Sequence, residues 1–183
     1  MPQPKNMKAG SPDNFQTDPI ALDCLVPHLK KEWFIWEPAC GKGNLVMGLK
    51  ARGFKSFGTD IFQDVGSTNF LEGNPDITSF GCIVTNPPFS LKEEFLGRCY
   101  QLGLPFALLM PITTFDSVDR RKMMGMYGVE IIFPPKRINF ETPNHEKNVA
   151  AGKKTSSWFY SAWFTHGLNI GRQLVFTDSD IFI

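Results

Sequence analysis

Two short stretches carry residue types that could do chemistry. The first is Glu37-Pro38-Ala39-Cys40-Gly41-Lys42-Gly43-Asn44, which follows an apolar run. Small residues there let the backbone turn sharply and approach a ligand closely. Nineteen positions after Gly41 comes Asp60, again at the end of an apolar run. An acid at that distance can accept hydrogen bonds from both hydroxyls of a ribose. The second stretch is Asn86-Pro87-Pro88-Phe89, after the apolar run that ends in Thr85. Consecutive prolines end a strand and stiffen the turn after it.

The glycine loop by itself admits three readings. A dinucleotide fingerprint needs GxGxxG, and the third glycine position holds Val46. A phosphate loop needs GxxxxGK[ST], which is absent. An ordinary glycine-rich turn is the third. A bare proline pair is likewise only a stiff turn unless its position in the fold gives it more to do.

The elements that must position these stretches alternate along the chain. Trp33–Glu37, Ser56–Asp60, Gly81–Thr85, Phe106–Met110, Val129–Phe133 and Ser157–Phe164 read as strands. Asn44–Arg52 reads as a helix closed by Gly53. Ser90 with Glu93 forms a capping-box pattern for a helix carrying Leu91, Phe95, Cys99 and Leu102, ended by Gly103. Another helix is expected from about Thr114 to Met126. An N-terminal helix is expected with Thr17 or Asp18 as cap, Pro19 in its first turn, and a kink at Pro27. Residues 61–80 are short for a helix and a strand, with Asn69–Leu71 as a possible brief element. Residues 134–156 show no periodicity. The alternation predicts an α/β fold with a mostly parallel, doubly wound sheet. Its ligand site belongs outside the carboxyl ends of the strands, where both stretches fall.

Length and composition bound the rest. The chain has 183 residues, 42% hydrophobic and 20% charged, which suits a globular protein. We expect a loose tail over residues 1–16 and a single domain over 17–183. Cys24, Cys40, Cys82 and Cys99 form no CxxC pair and no ligand spacing with His28, His145 or His166, so no metal site is expected. There is no apolar run of membrane-spanning length and no signal-peptide pattern, so a cytoplasmic setting without membrane contact is expected. The net charge of +1 does not advertise a nucleic-acid binder. The charge is uneven, however. Lys136, Arg137, Lys147, Lys153 and Lys154 stand against Glu141 and Glu146 in one stretch.

Taken together, these features resemble class I methyltransferases that use S-adenosyl-L-methionine (SAM), and the resemblance covers roughly residues 13–164. It implies a Rossmann-like fold with a seven-stranded sheet. The glycine loop resembles the SAM-binding motif, which would set Glu37 beside the methionine part. Ala39, Cys40, Gly41, Gly43 and Asn44 would line the turn, Asp60 would hold the ribose, and Ile61 would lie next to it. Phe15-Gln16-Thr17-Asp18-Pro19 looks like the family's N-terminal segment, with Phe15 and Thr17 near the methionine end. The family commonly has an acid that meets the adenine amino group of SAM. Here the matching position is Asn69, before Phe70.

Asn86-Pro87-Pro88-Phe89 resembles the (D/N/S)PP(Y/F/W) motif of enzymes that methylate amino groups in planar systems. Such a nitrogen is a poor nucleophile because its lone pair is delocalised. Hydrogen bonds accepted by the Asn86 side chain and the Pro87 carbonyl would localise it, and Phe89 would stack on the base. No histidine is needed for this chemistry. The motif order is similar to that of small phage and bacterial DNA N6-adenine methyltransferases. Amino methylation of RNA adenine or guanine, methylation of protein glutamine, and a catalytically silent SAM-binding subunit stay open beside it.

No separate recognition domain is expected within these 183 residues. Pro134–Ser156 is the one sizeable candidate for target contact, through Lys136, Arg137, Phe140, Lys153 and Lys154, with a mobile loop as the alternative. So small a target surface suggests help from a second copy of the chain or a partner subunit.

Overall fold

The computed structural model describes residues 15–62, 68–72, 76–141, 159–171 and 173–176. Nine strands are seen among them: β1 (Gln16–Thr17), β2 (Phe34–Glu37), β3 (Lys55–Gly58), β4 (Cys82–Thr85), β5 (Phe106–Pro111), β6 (Glu130–Phe133), β7 (Phe140–Glu141), β8 (Ser161–His166) and β9 (Leu174–Phe176). Three α-helices accompany them: α1 (Asn44–Ala51), α2 (Lys92–Leu102) and α3 (Val118–Tyr127). Seven strands form one sheet in the order β3-β2-β4-β5-β8-β6-β9. Only β8 runs against its neighbours.

Alternation along the strands divides the core between the two faces of this sheet. Ile35, Cys82, Val84, Ala107, Leu109, Ile132 and Trp163 face one side, with Leu45 and Leu49 of α1. Trp36, Ile83, Phe106, Leu108, Met110, Ile131 and Phe164 face the other, with Phe95 and Leu96 of α2 and Met124 of α3. Both faces are covered by helices, which is the doubly wound arrangement expected. The two fully buried tryptophans are anchored at their polar ends. Trp163 donates its indole N–H to the Ala21 carbonyl at 2.8 Å, and Trp36 donates to the Thr59 hydroxyl at 2.9 Å.

After β2 the chain moves out to β3, then returns to β4 on the opposite side of β2. The order reverses there, so a crevice opens between the carboxyl ends of β2 and β4. Ile35 pairs with Cys82 and Trp36 with Ile83. The glycine loop and the proline motif therefore leave from neighbouring strands.

Several expectations need correction. The N-terminal helix is two short 3-10 turns, Pro19–Leu22 and Val26–His28, because Pro27 lacks the N–H a continuous α-helix would use. Asp18 rather than Thr17 caps the first, accepting from the Ile20 N–H at 3.0 Å. The Ser90–Glu93 capping box does not start a helix at Ser90. A 3-10 turn spans Phe89–Leu91, and Leu91 precedes α2 without a side-chain cap. Glu93 instead accepts from Arg120 at 3.1 Å and Ser117 at 3.2 Å. A charged guanidinium competes successfully with a backbone N–H for the carboxylate.

The helix expected from Thr114 starts at Val118, capped by Ser117, after a 3-10 turn over Ile112–Asp116. Asn69–Leu71 is a turn, and the seventh strand is the unforeseen β9, parallel to β6. The last expected strand begins at Ser161 and runs on to His166; residues 157–158 lie outside the described ones. Gln16 does not belong to a tail: β1 pairs antiparallel with β7, which lies in the segment that shows no periodicity.

Candidate functional site

Glu37 closes β2 and is 3% exposed. Burial pushes its carboxyl well above the ordinary carboxylate range. The Val46 N–H pulls it part of the way back, and the charge of Asp60 adds to the rise. Its Oε2 atom is buried with no hydrogen-bond partner. The chain then turns through Gly41 at φ +50° and Gly43 at φ +81°, a region that favours glycine. Cys40 donates its N–H to the Thr59 carbonyl at 3.0 Å, which keeps this turn on the end of β3. Gly43 caps α1, whose first residue is Asn44.

Asp60 follows β3, half-buried. One carboxylate oxygen accepts from the Gly41 N–H at 2.8 Å and the other from the Phe62 N–H at 3.0 Å. Ile61 and Phe62 beside it are exposed apolar groups. The glycine turn, Glu37 and Asp60 thus lie together at the carboxyl ends of β2 and β3. Asn69 and Phe70 contribute less directly. The Asn69 side-chain oxygen accepts from the Leu71 N–H at 3.1 Å and so holds its own turn. Phe70 is buried against Trp36 and Phe95, with ring centroids at 5.4 and 4.8 Å.

The N-terminal segment lies across the glycine turn. The Gln16 side-chain oxygen accepts from the Lys42 N–H at 2.9 Å, and Asn44 donates its side-chain N–H to the Thr17 carbonyl at 3.3 Å. Thr17 itself is buried. Gln16 was not among the residues singled out from the sequence. A polar residue in a two-residue strand has no periodicity to betray its burial.

Asn86 leaves β4 almost fully buried, and its side-chain oxygen has no hydrogen-bond partner. Pro87 is buried, and Pro88 and Phe89 are half-buried. The Phe89 ring meets Phe15 at 5.5 Å, Phe159 at 5.3 Å and Phe140 at 6.0 Å. Phe159 is a second residue missed, since it stands beyond the segment considered. Phe140 is 2% exposed. It lies behind Phe89 within this aromatic cluster rather than on an open target-facing surface. Lys136 and Arg137 are exposed; Lys153 and Lys154 lie outside the described residues.

Among the described residues, no three His, Cys, Asp or Glu groups could hold a metal. The four cysteines form no disulfide and are buried, and burial pushes the thiols of Cys82 and Cys99 far up. His166 packs on Tyr100 and Phe106. Phe106 begins β5, so His166 lies at the opposite end of the sheet from Asn86. Among the described residues, no helix is long and apolar enough to cross a membrane.

No family model and no curated protein matches the chain. Solved structures do. A proposed RNA methyltransferase from Pyrococcus horikoshii superposes with a TM-score of 0.52 at 11% identity, covering 80% of this chain and 80% of that one. The 23S rRNA methyltransferase ErmE gives 0.52 at 16% identity, covering 80% and 65%. A modification subunit of a proposed type I restriction enzyme from Vibrio vulnificus gives 0.49 at 13% identity, covering 82% and 44%. The chain spans less than half of that subunit and just under two thirds of ErmE. Likenesses at such identities speak to the fold. The chain has the Rossmann-like fold of class I methyltransferases, a mostly parallel sheet with helices on both faces.

Proposed function

We propose that this chain transfers a methyl group from SAM to the exocyclic N6 amino group of adenine in DNA. The observation that carries the reading is the buried, unpartnered Oδ1 of Asn86, the residue after β4, next to the crevice and three positions before Phe89. A buried polar atom without a partner costs stability, and such atoms gather where a ligand supplies the partner.

The residues present fit SAM. The buried, unpartnered Glu37 oxygen suits the cationic amino group of the methionine part. Asp60 keeps acceptor capacity on both oxygens for the ribose hydroxyls after meeting Gly41 and Phe62. Gly41 and Gly43 present bare backbone at the turn. Thr17 and Asn44 hold the N-terminal segment near it. Exposed Ile61 offers an apolar face to the adenine ring. When bound, SAM supplies an electrophilic methyl on a sulfonium.

The rest of the reaction belongs to the chain. Asn86 Oδ1 accepts one N–H of the target amino group and the Pro87 carbonyl accepts the other. These bonds localise the lone pair on the nitrogen instead of in the ring. Phe89 stacks on the base, which has left the duplex stack to reach it. Catalysis is then positioning and electrostatics rather than acid–base work. The methylated nitrogen is acidic and gives its proton to solvent. Lys136 and Arg137, together with Lys153 and Lys154, would meet the phosphate backbone. A second copy or a partner subunit would add target contact.

The test is to incubate the purified chain with radiolabelled SAM and, in parallel, unmethylated duplex DNA, single-stranded DNA and RNA, then digest each to nucleosides. We expect label in N6-methyl-2′-deoxyadenosine from DNA, lost in Asn86→Ala. Label in RNA alone would replace the substrate. No label in any polymer, with SAM bound, would remove the nucleic-acid reading.

A further inference from the structure

We propose that Gln16 is a positioning residue that couples the glycine loop to the segment after β6. This rests on the SAM reading above. Gln16 is 8% exposed, and its side chain lies directly on the turn. Its Oε1 accepts from the Lys42 N–H at 2.9 Å. A Cβ on Gly41 would stand 2.7 Å from its Nε2 and 2.9 Å from its Oε1, so the glycine leaves the space that Gln16 occupies.

The backbone of the same residue is committed elsewhere. Gln16 pairs with Glu141 and Thr17 with Phe140 across β1 and β7. Phe15, one residue earlier, meets the Phe89 ring of the proline motif at 5.5 Å and Phe140 at 5.9 Å. Three consecutive residues therefore touch the cofactor turn, the proline motif and the basic segment. A ligand that orders the turn fixes the Lys42 N–H, and through it Gln16, β1 and β7. The segment carrying Lys136 and Arg137 is then held for its target. By linkage the reverse also holds, so target binding tightens SAM binding.

The experiment is backbone hydrogen exchange of the full chain with and without saturating SAM, with SAM affinity measured alongside by calorimetry. Gln16→Met keeps the volume and removes the acceptor. Gln16→Glu keeps the acceptor. In the parent chain we expect SAM to slow exchange at residues 41–44 and at 138–141, the latter by about fivefold or more. Gln16→Glu should preserve both effects. Gln16→Met should keep protection at 41–44 and lose it at 138–141, with SAM binding weakened about fivefold.

A merely structural role for Gln16 would raise exchange at 138–141 equally with and without SAM, and would overturn the coupling. So would protection at 138–141 that persists in Gln16→Met, or SAM binding to the parent chain with no protection there. Failure of SAM to bind the parent chain at all would overturn the cofactor reading, and the coupling with it.

Discussion

Asp60 accepts a hydrogen bond from the Gly41 N–H at 2.8 Å, which ties the turn after β2 to the turn after β3. The bond spans nineteen residues. It sets the carboxylate at the rim of the crevice, with its other oxygen held by Phe62. Replacing Asp60 with Ala removes both anchors. Bonds to a charged group contribute about 1.5–3 kcal/mol each, so SAM affinity should fall at least about tenfold. Losing the two partly exposed bonds from Gly41 and Phe62 should also lower the melting temperature by a few degrees. Calorimetric titration beside a thermal melt checks this. Unchanged affinity would remove Asp60 from the ribose site.

Glu37→Gln should separate stability from binding. The folded-state pKa of Glu37 lies above its unfolded value, chiefly because burial penalises the charge. Its contribution to stability is then greatest at acid pH. That contribution is lost as pH rises from the ordinary carboxylate range through the raised folded value. Glutamine keeps an acceptor for the Val46 N–H and carries no charge. Above that raised value its melting temperature should exceed the parent's by a few degrees, at about 2–4 °C per kcal/mol for a chain of this size. The gap should close in acid. SAM binding should strengthen with rising pH in the parent, and be weaker and flat in the variant. A lower melting temperature for Gln at neutral pH would contradict the burial argument.

The proline motif makes two separable demands. Asn86→Asp retains an acceptor oxygen and should retain part of the methyl transfer that Asn86→Ala loses. Phe89→Tyr keeps the ring and its contacts with Phe15, Phe140 and Phe159. It should stay folded and active. Phe89→Ala opens that cluster. Truncating a fully buried Phe costs about 3–5 kcal/mol, so this half-buried ring should cost roughly 2 kcal/mol. Turnover should fall about 100-fold through lost positioning. Denaturant melts and single-turnover rates on the same preparations check both.

Glu93 and Arg120 supply a control outside the residues assigned to SAM. Their 3.1 Å ion pair ties α2 to the start of α3, and Arg120 also donates to the Thr114 carbonyl at 2.7 Å. The Glu93 side chain is 43% exposed, so solvent screens the pair. Glu93→Gln should lower stability by less than about 1 kcal/mol and leave SAM affinity unchanged. A change in affinity would show that the α2–α3 contact reaches the crevice.

Most of the sheet was legible because strands buried on both faces are continuous apolar runs with period two. Ile83 and Val84, or Leu108 and Leu109, fall on opposite faces as that period requires. The glycine turn was legible for a related reason: left-handed backbone at Gly41 and Gly43 is a local demand that side chains rarely meet. What stayed hidden was short or relational. The strands β1 and β9 have two and three residues, too few to show a period.

The sequence by itself determined where the six longer strands fall, where the chain must turn, and that an amide followed by prolines comes directly after β4. Those are local properties of side-chain size, φ preference and missing N–H groups. Only the tertiary structure decided that Glu93 serves Arg120 instead of a helix cap, that Gln16 lies on Gly41, and that β1 finds β7 across more than a hundred residues. Each is a competition between partners distant in the chain. Its outcome depends on which groups the packed core brings within hydrogen-bond reach, and no local pattern encodes that.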